Sequence, residues 1–298
     1  MELAMLVDSF LLLVPLIVLV GGGWLFGGRK DLSQNTLIWL ITDFFMPMLV
    51  FEALYRSEVS LEAILQLGAA VVILALVLGV ATRVATVFTR SSWSALVMPA
   101  VFMNSGFLGI PLMELWGGTE AMSLIIVFDQ LFGIIMFTAG LIVVTGGFTR
   151  RGFRAMAGSP ILWAVLGGFG FRFAGIPVPE PILTTFAFAG TAAPPLAAFT
   201  LGCSLAGSRI RIDSTVIVGC VLRFGVGIAA GFAAVAALGI TGTTRTVVIV
   251  ASALPAAVFS YVLPARYGMT DATPRDIVVV TTVLSVVTIP VSFFLAAL

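Results

Sequence analysis

The sequence predicts an all-α polytopic membrane protein: ten transmembrane helices arranged as two inverted five-helix repeats. Three observations lead there. The chain has 298 residues, 60% of them hydrophobic and 10% charged, with a mean hydropathy of +1.18, whereas a soluble domain carries about 25% charged residues. Apolar stretches of about 20 residues recur along it, each long enough to cross a ~30 Å hydrocarbon core. Three short patterns from the first half return in the second half in the same order. This composition excludes a secreted domain, a nucleic-acid-binding domain and a soluble enzyme.

Absences narrow the chemistry further. The chain has no histidine, the commonest general base and metal ligand. Its two cysteines, Cys203 and Cys220, lie in apolar segments without Cys-x-x-Cys spacing, so no metal site is expected and no cofactor. A net charge of +1 gives no attraction to a nucleic acid. The N-terminal run to Phe26 lacks a basic leader and reads as a retained span.

Breaks at charged and Pro/Gly-rich positions place the spans at 4–26, 33–54, 61–87, 93–115, 119–146, 155–175, 181–206, 214–240, 246–265 and 274–297. Backbone groups in lipid must be satisfied within their own segment, so the spans are helices. The short alternating segments of a membrane barrel are not seen. Connections on one side hold eleven Lys and Arg, from Arg29 to Arg275, against Arg56, Arg172 and Arg245 on the other. That asymmetry puts both termini outside a bacterial-type plasma (inner) membrane.

The repeat divides the chain at 1–149 and 150–298. WGGTEA at 116–121 returns as YGMTDA at 267–272, MPA at 98–100 as LPA at 254–256, and PMLVF at 47–51 as PLAAF at 195–199. Five spans per half is odd, so the second half inserts upside down. Inverted repeats with discontinuous helices are the mark of secondary transporters.

Spans four and nine hold the expected discontinuities. In span four, Pro99 and Pro111 each remove a backbone donor. Between them, Asn104, Ser105, Gly106 and Gly109 supply polar and flexible positions near mid-membrane. Span nine repeats the arrangement, with Pro255 and Pro264 around Phe259, Ser260 and Tyr261. Where two such helices cross, half-helix N-termini offer N–H groups and partial positive charge to an anion. Asn104 either binds that anion or caps the broken helix, and the two roles are compatible.

Three ionisable residues lie about 15 Å inside their spans, ten residues from the nearest end: Asp43, Asp129 and Arg223. Charges there are costly and are functional candidates by default. Asp129, beside Gln130, is a candidate proton or substrate-sensing group, or a neutral acid bonded to a carbonyl. Arg223 binds an anion or pairs with Asp43 or Asp129. Glu52 and Arg56, four apart on span two, read on spacing alone as an interfacial ion pair.

The segments MNSGFLGIPLMELWGG, PLAAFTLGCSLAG and ASALPAAVFSYVLPARYGMTDA resemble the auxin efflux carrier family, which includes plant auxin exporters and bacterial malonate and malate carriers. The resemblance covers the whole chain. It implies spans four and nine crossing at their prolines, as in bile-acid symporters and sodium/proton antiporters. It also implies a scaffold of spans one, two, six and seven, a moving core of spans three to five and eight to ten, and a homodimer. The family's crossover asparagine falls on Asn104, which is expected to hydrogen-bond a carboxylate. Glu52 and Arg56 resemble the acid and base of a polar support site. The long loop of the plant proteins is reduced here to TGGFTRRGF, which favours the bacterial branch.

The sequence therefore leads us to expect a transporter, not an enzyme, moving a small organic acid by an elevator-like or rocking motion, either coupled to protons or as a uniporter. The rivals are a sodium symporter of the bile-acid type, a channel or a receptor on the same frame. No cluster of oxygen ligands for sodium stands out.

Overall fold

The computed structural model describes residues 14–27, 32–56, 59–89, 92–140, 160–206, 211–266 and 270–298, with isolated positions between 142 and 158. The start of the first span, the end of the fifth, the start of the sixth and Tyr267–Met269 of the second repeat motif lie outside the described residues. The regular structure described is helical, plus one isolated antiparallel bridge.

Helix α1 (Val14–Gly27) precedes α2, a rod built from Gln34–Trp39, a π-helical turn Leu40–Phe45, and Met46–Arg56. Next come α3 (Leu61–Thr89) and the short α4 (Trp93–Val101). Helix α5 opens with a π-helical turn Ser105–Gly109, runs through Ile110–Ile135 and ends in a second such turn, Met136–Gly140. The second half supplies α6 (Pro160–Phe173), α7 (Glu180–Gly190) and α8 (Ala193–Leu205). It continues with α9, made of Ser214–Cys220, a π-helical turn Val221–Val226 and Gly227–Leu238. The last helices are α10 (Gly242–Ser252), α11 (Phe259–Arg266) and α12 (Thr273–Ala297).

Local chemistry explains these boundaries. The Ser33 hydroxyl accepts the Thr36 N–H at the start of α2, and the Asp213 carboxylate accepts the Val216 N–H at the start of α9, as N-caps do. In α2, Pro47 has no N–H for the Asp43 carbonyl, and the Met46 N–H instead reaches Ile41 O, five residues back. That slip is the π-helical turn. Inside α5, Gly118 has φ 60° and ψ −151°, a conformation that only glycine adopts cheaply. Helix α5 therefore turns at Gly117–Gly118, between the expected spans four and five, without a loop.

Six stretches among the described residues are long and apolar enough to cross a bilayer: Thr36–Arg56, Leu61–Thr89, Ser105–Ile135, Glu180–Thr200, Ser214–Leu238 and Thr273–Ala297. Helices α4, α10 and α11, with 9, 11 and 8 residues, are each too short alone, because the expected spans four and nine are broken near their middles. The ninth also starts earlier than expected, at Gly242.

Helix α1 packs along α8, while α2 packs on α6 and α7. Helices α3, α4, α5, α9, α10 and α12 pack on one another, burying residues such as Leu74, Ile110, Ile125, Val248 and Ile277. Apolar side chains also point outward, Phe88 and Phe188 each at 83% exposure, as lipid contact requires. The α1–α8 contact is backbone on backbone. A Cβ at Gly202 would sit 2.0 Å from Val20 O, and one at Gly23 would sit 1.9 Å from Phe199 O. Small residues permit this approach in membranes. Gly202→Val should force the helices apart and cost at least about 1–3 kcal/mol, read as a lower melting temperature. Gly21→Ala, where an added Cβ meets nothing within 4 Å, should leave it unchanged.

Candidate substrate site at the helix crossover

Chain breaks in α4–α5 and α10–α11 meet and cross. Between α4 and α5 the backbone opens at Phe102–Asn104, and between α10 and α11 it opens over 253–258. Met103 pairs with Ala256 in an antiparallel bridge. The Asn104 N–H donates to Pro255 O at 2.8 Å, and the Ala257 N–H donates to Phe102 O at 2.8 Å. The Ala256 N–H donates to Thr281 Oγ1 of α12 at 3.1 Å. Backbone groups released by each break are thus satisfied partly by the other break and partly by side chains of α9 and α12, a requirement when water is absent. Proline fits at Pro255 because only its carbonyl is used there. Pro99 and Pro264 lie inside α4 and α11, and Pro111 follows the π-helical turn at the start of α5. A Cβ at Gly109 would come within 2.9 Å of Leu254 Cδ1, so that position also serves close approach.

Four half-helix ends converge on this crossing, two negative and two positive. Helices α4 and α10 arrive with their carbonyl ends. Arg223, fully buried on the π-helical turn of α9, takes both. Its Nη1 donates to Ala100 O at 2.7 Å and Val101 O at 3.0 Å, and its Nη2 donates to Ser252 O at 2.9 Å. Gly227 makes room for this, since a Cβ there would lie 2.5 Å from Nη2. Sequence reasoning left Arg223 to an anion or to Asp43 or Asp129. Its bonding partners here are the two helix C-termini.

Helices α5 and α11 begin at the crossing with their N–H ends. Asn104 is 3% exposed. Its main-chain carbonyl accepts the N–H groups of Leu108 and Gly109 at 3.2 and 3.1 Å. Its side chain makes no capping bond, and its Nδ2 is buried with no hydrogen-bond partner among the described residues. A buried amide donor without an acceptor is costly. Beside it, Ser105 Oγ donates to Asp129 Oδ1 at 2.6 Å, and Gln130 Nε2 donates to Asp129 Oδ2 at 3.0 Å. An added Cβ at Gly106 would lie 3.2 Å from Asp129 Oδ1. Asn104, Ser105, Gly106, Asp129 and Gln130 therefore form one polar cluster at the head of α5.

Across the crossing, Ser260 Oγ donates to Met98 O at 3.1 Å, binding α11 to α4. The Phe259 ring lies 5.8 Å from that of Phe107, and Tyr261 packs half-buried against the apolar core. Two candidate positions stand apart. Asp43 sits on the π-helical turn of α2, with Thr42 Oγ1 at 3.0 Å. Arg56 pairs with Glu52 at 3.0 Å and also with Glu180 of α7 at 2.5 Å. Glu180, 124 positions away in sequence, was not foreseen, nor was Thr281. Glu180 opens its helix beside Pro181, and Thr281 lies in a hydroxyl-rich stretch of α12, which are the only traces either leaves in the sequence.

Broken helices that cross inside a bundle of apolar helices, with oppositely charged ends facing each other, define a membrane transport protein. A family described as "Membrane transport protein" matches the chain twice, over residues 8–150 and 150–293. The chain belongs to this family, the auxin efflux carriers, and carries its unit as two repeats. It is also similar to an uncharacterized transporter of Methanothermobacter thermautotrophicus, 28% identical over 276 residues, which are 88% of each chain.

Proposed function

We propose that the chain is a secondary transporter of a small organic acid anion, working by alternating access around the crossover. The observation that carries this reading is the unpartnered, buried Nδ2 of Asn104 at the head of α5. Arg223 occupies the carbonyl ends of α4 and α10, so the polarity left uncompensated at the crossing is positive. A carboxylate supplies the acceptors that this arrangement lacks.

In this reading the ten spans form two inverted repeats in an inner membrane, with both termini outside. A scaffold of spans one, two, six and seven carries a moving core, and two copies associate through it. The packing of α1 on α8 and of α2 on α6 and α7 supports that division. The Glu52–Arg56–Glu180 cluster ties α2 to α7 at one end of the scaffold. Asp129, joined to the head of α5 through the Ser105 hydroxyl, carries the proton that balances the charge of the anion.

Thermal shift of the purified protein against mono- and dicarboxylates tests the substrate class. A bound acid at 100 times its Kd stabilises by about 2.7 kcal/mol, and no shift with any acid would contradict the reading. For coupling, transport by Asp129→Asn in proteoliposomes should lose its dependence on pH while acid binding persists. Full retention of the pH profile removes Asp129 from the proton role.

A further inference from the structure

Away from the crossover, a cavity of about 540 Å³ opens between α2, α6, α7 and the segment at 177–179. Its volume falls within the roughly 300–1,000 Å³ of small-molecule sites. None of its lining residues belongs to the crossover. The walls are apolar and strongly aromatic, with Phe44, Phe51, Trp163, Phe171 and Phe186 contributing rings. Phe51 stands at its centre, edge-on to Phe171 at 5.9 Å and to Phe186 at 5.5 Å, which fixes the orientation of the wall.

Among the described lining residues, Asp43 is the one ionisable side chain. It sits on the π-helical turn that Pro47 imposes on α2, a distortion often found where a helix serves a ligand. Its bonding is poor. The Thr42 hydroxyl has one hydrogen, and that hydrogen is contested between Ile38 O at 2.8 Å and Asp43 Oδ1 at 3.0 Å. The ion pairs among the described residues do not include Asp43. A carboxylate about 15 Å into its span, exposed on a groove wall beside aromatic rings and without a positive partner among the described residues, is an expensive arrangement in a membrane. The missing charge is a cation, and ring faces attract cations as well.

We infer that this groove binds an organic monocation, with an ammonium-like centre on Asp43 and an apolar or aromatic body against Phe51, Trp163 and Phe186. Such a ligand touches α2, α6 and α7 together and braces them. The site is independent of the anion site and accepts the opposite charge.

The test is equilibrium binding of tritiated tetraphenylphosphonium to the full chain in lipid nanodiscs. Tetraphenylborate, an anion of matching shape, is measured in separate samples. Saturable phosphonium binding is expected, weakened at least tenfold by Asp43→Asn, several-fold by Trp163→Ala, and largely kept by Asp43→Glu. Asn104→Ala should bind the cation as the unaltered chain does, and the borate should bind the unaltered chain at least tenfold more weakly than the phosphonium. Equal phosphonium binding by the unaltered chain and Asp43→Asn overturns the inference. So does saturable binding of the borate to the unaltered chain as tight as that of the phosphonium, which would mark a merely apolar groove. A change of oligomeric state in Asp43→Asn would also overturn it, assigning the groove to a subunit contact.

Discussion

Arg223→Met should unfold the crossover before it does anything to transport. The substitution keeps the volume but strips Ala100 O, Val101 O and Ser252 O of the donors that hold them. Three carbonyls then face an apolar interior, and two helix C-termini lose the charge that separates them. Losing one side of a buried, charged hydrogen-bond network costs about 3–5 kcal/mol, a large share of a typical stability of 5–15 kcal/mol. The expected result is a melting temperature in nanodiscs well below that of the unaltered chain, with or without a carboxylate. Arg223→Lys should fall between the two, because one ammonium cannot span three carbonyls as a planar fork does. If Arg223→Met melted normally and lost only affinity for an anion, the guanidinium would be a substrate ligand instead.

Asn104→Ala should show the opposite profile. No described protein group bonds to Nδ2, and the contacts that Asn104 makes to Leu108 and Gly109 run through its main-chain carbonyl, which alanine retains. Stability should therefore not fall, because the substitution removes a buried donor that is already unpaired. Organic acid affinity should drop 10- to 100-fold, as expected for losing a hydrogen bond worth about 1.5–3 kcal/mol to a charged acceptor. Asn104→Asp should abolish anion binding outright, since it sets a like charge at the same point. Melting curves and calorimetric titrations on the two variants together separate the residue that holds the crossover from the residue that serves its ligand.

Much of this arrangement was legible in the sequence because proline, glycine and scarce charges report directly on membrane helices. Pro99, Pro111, Pro255 and Pro264 marked the two broken spans. Asn104 stood out because a polar side chain at mid-membrane needs a reason. The three mid-span ionisable residues were found by counting, but their partners were not. Arg223 pairs with carbonyls released by breaks 122 and 123 positions before it and 29 after it, and main-chain acceptors carry no sequence signal. Nothing in the local pattern showed that Asp43 and Arg223 each sit on a π-helical turn, although Pro47 could have raised the first. The Gly23-x-x-x-Gly27 spacing in α1 could likewise have announced the close α1–α8 crossing. Glycine is so common in this chain, 31 residues in all, that one such spacing did not stand out. Glu180 was invisible because a surface ion pair between distant helices depends on packing that sequence order does not reveal.

On the proposed function, the crossover of α4–α5 with α10–α11 holds a carboxylate that the protein carries across the membrane. Counterflow tests it most directly. Proteoliposomes are loaded with an unlabelled acid that stabilises the purified protein, and a trace of the labelled acid is added outside. Transient uphill accumulation of label is expected with the unaltered chain and none with Asn104→Ala at the same protein density. Accumulation that survives intact in Asn104→Ala, or that no stabilising acid ever produces, would contradict it.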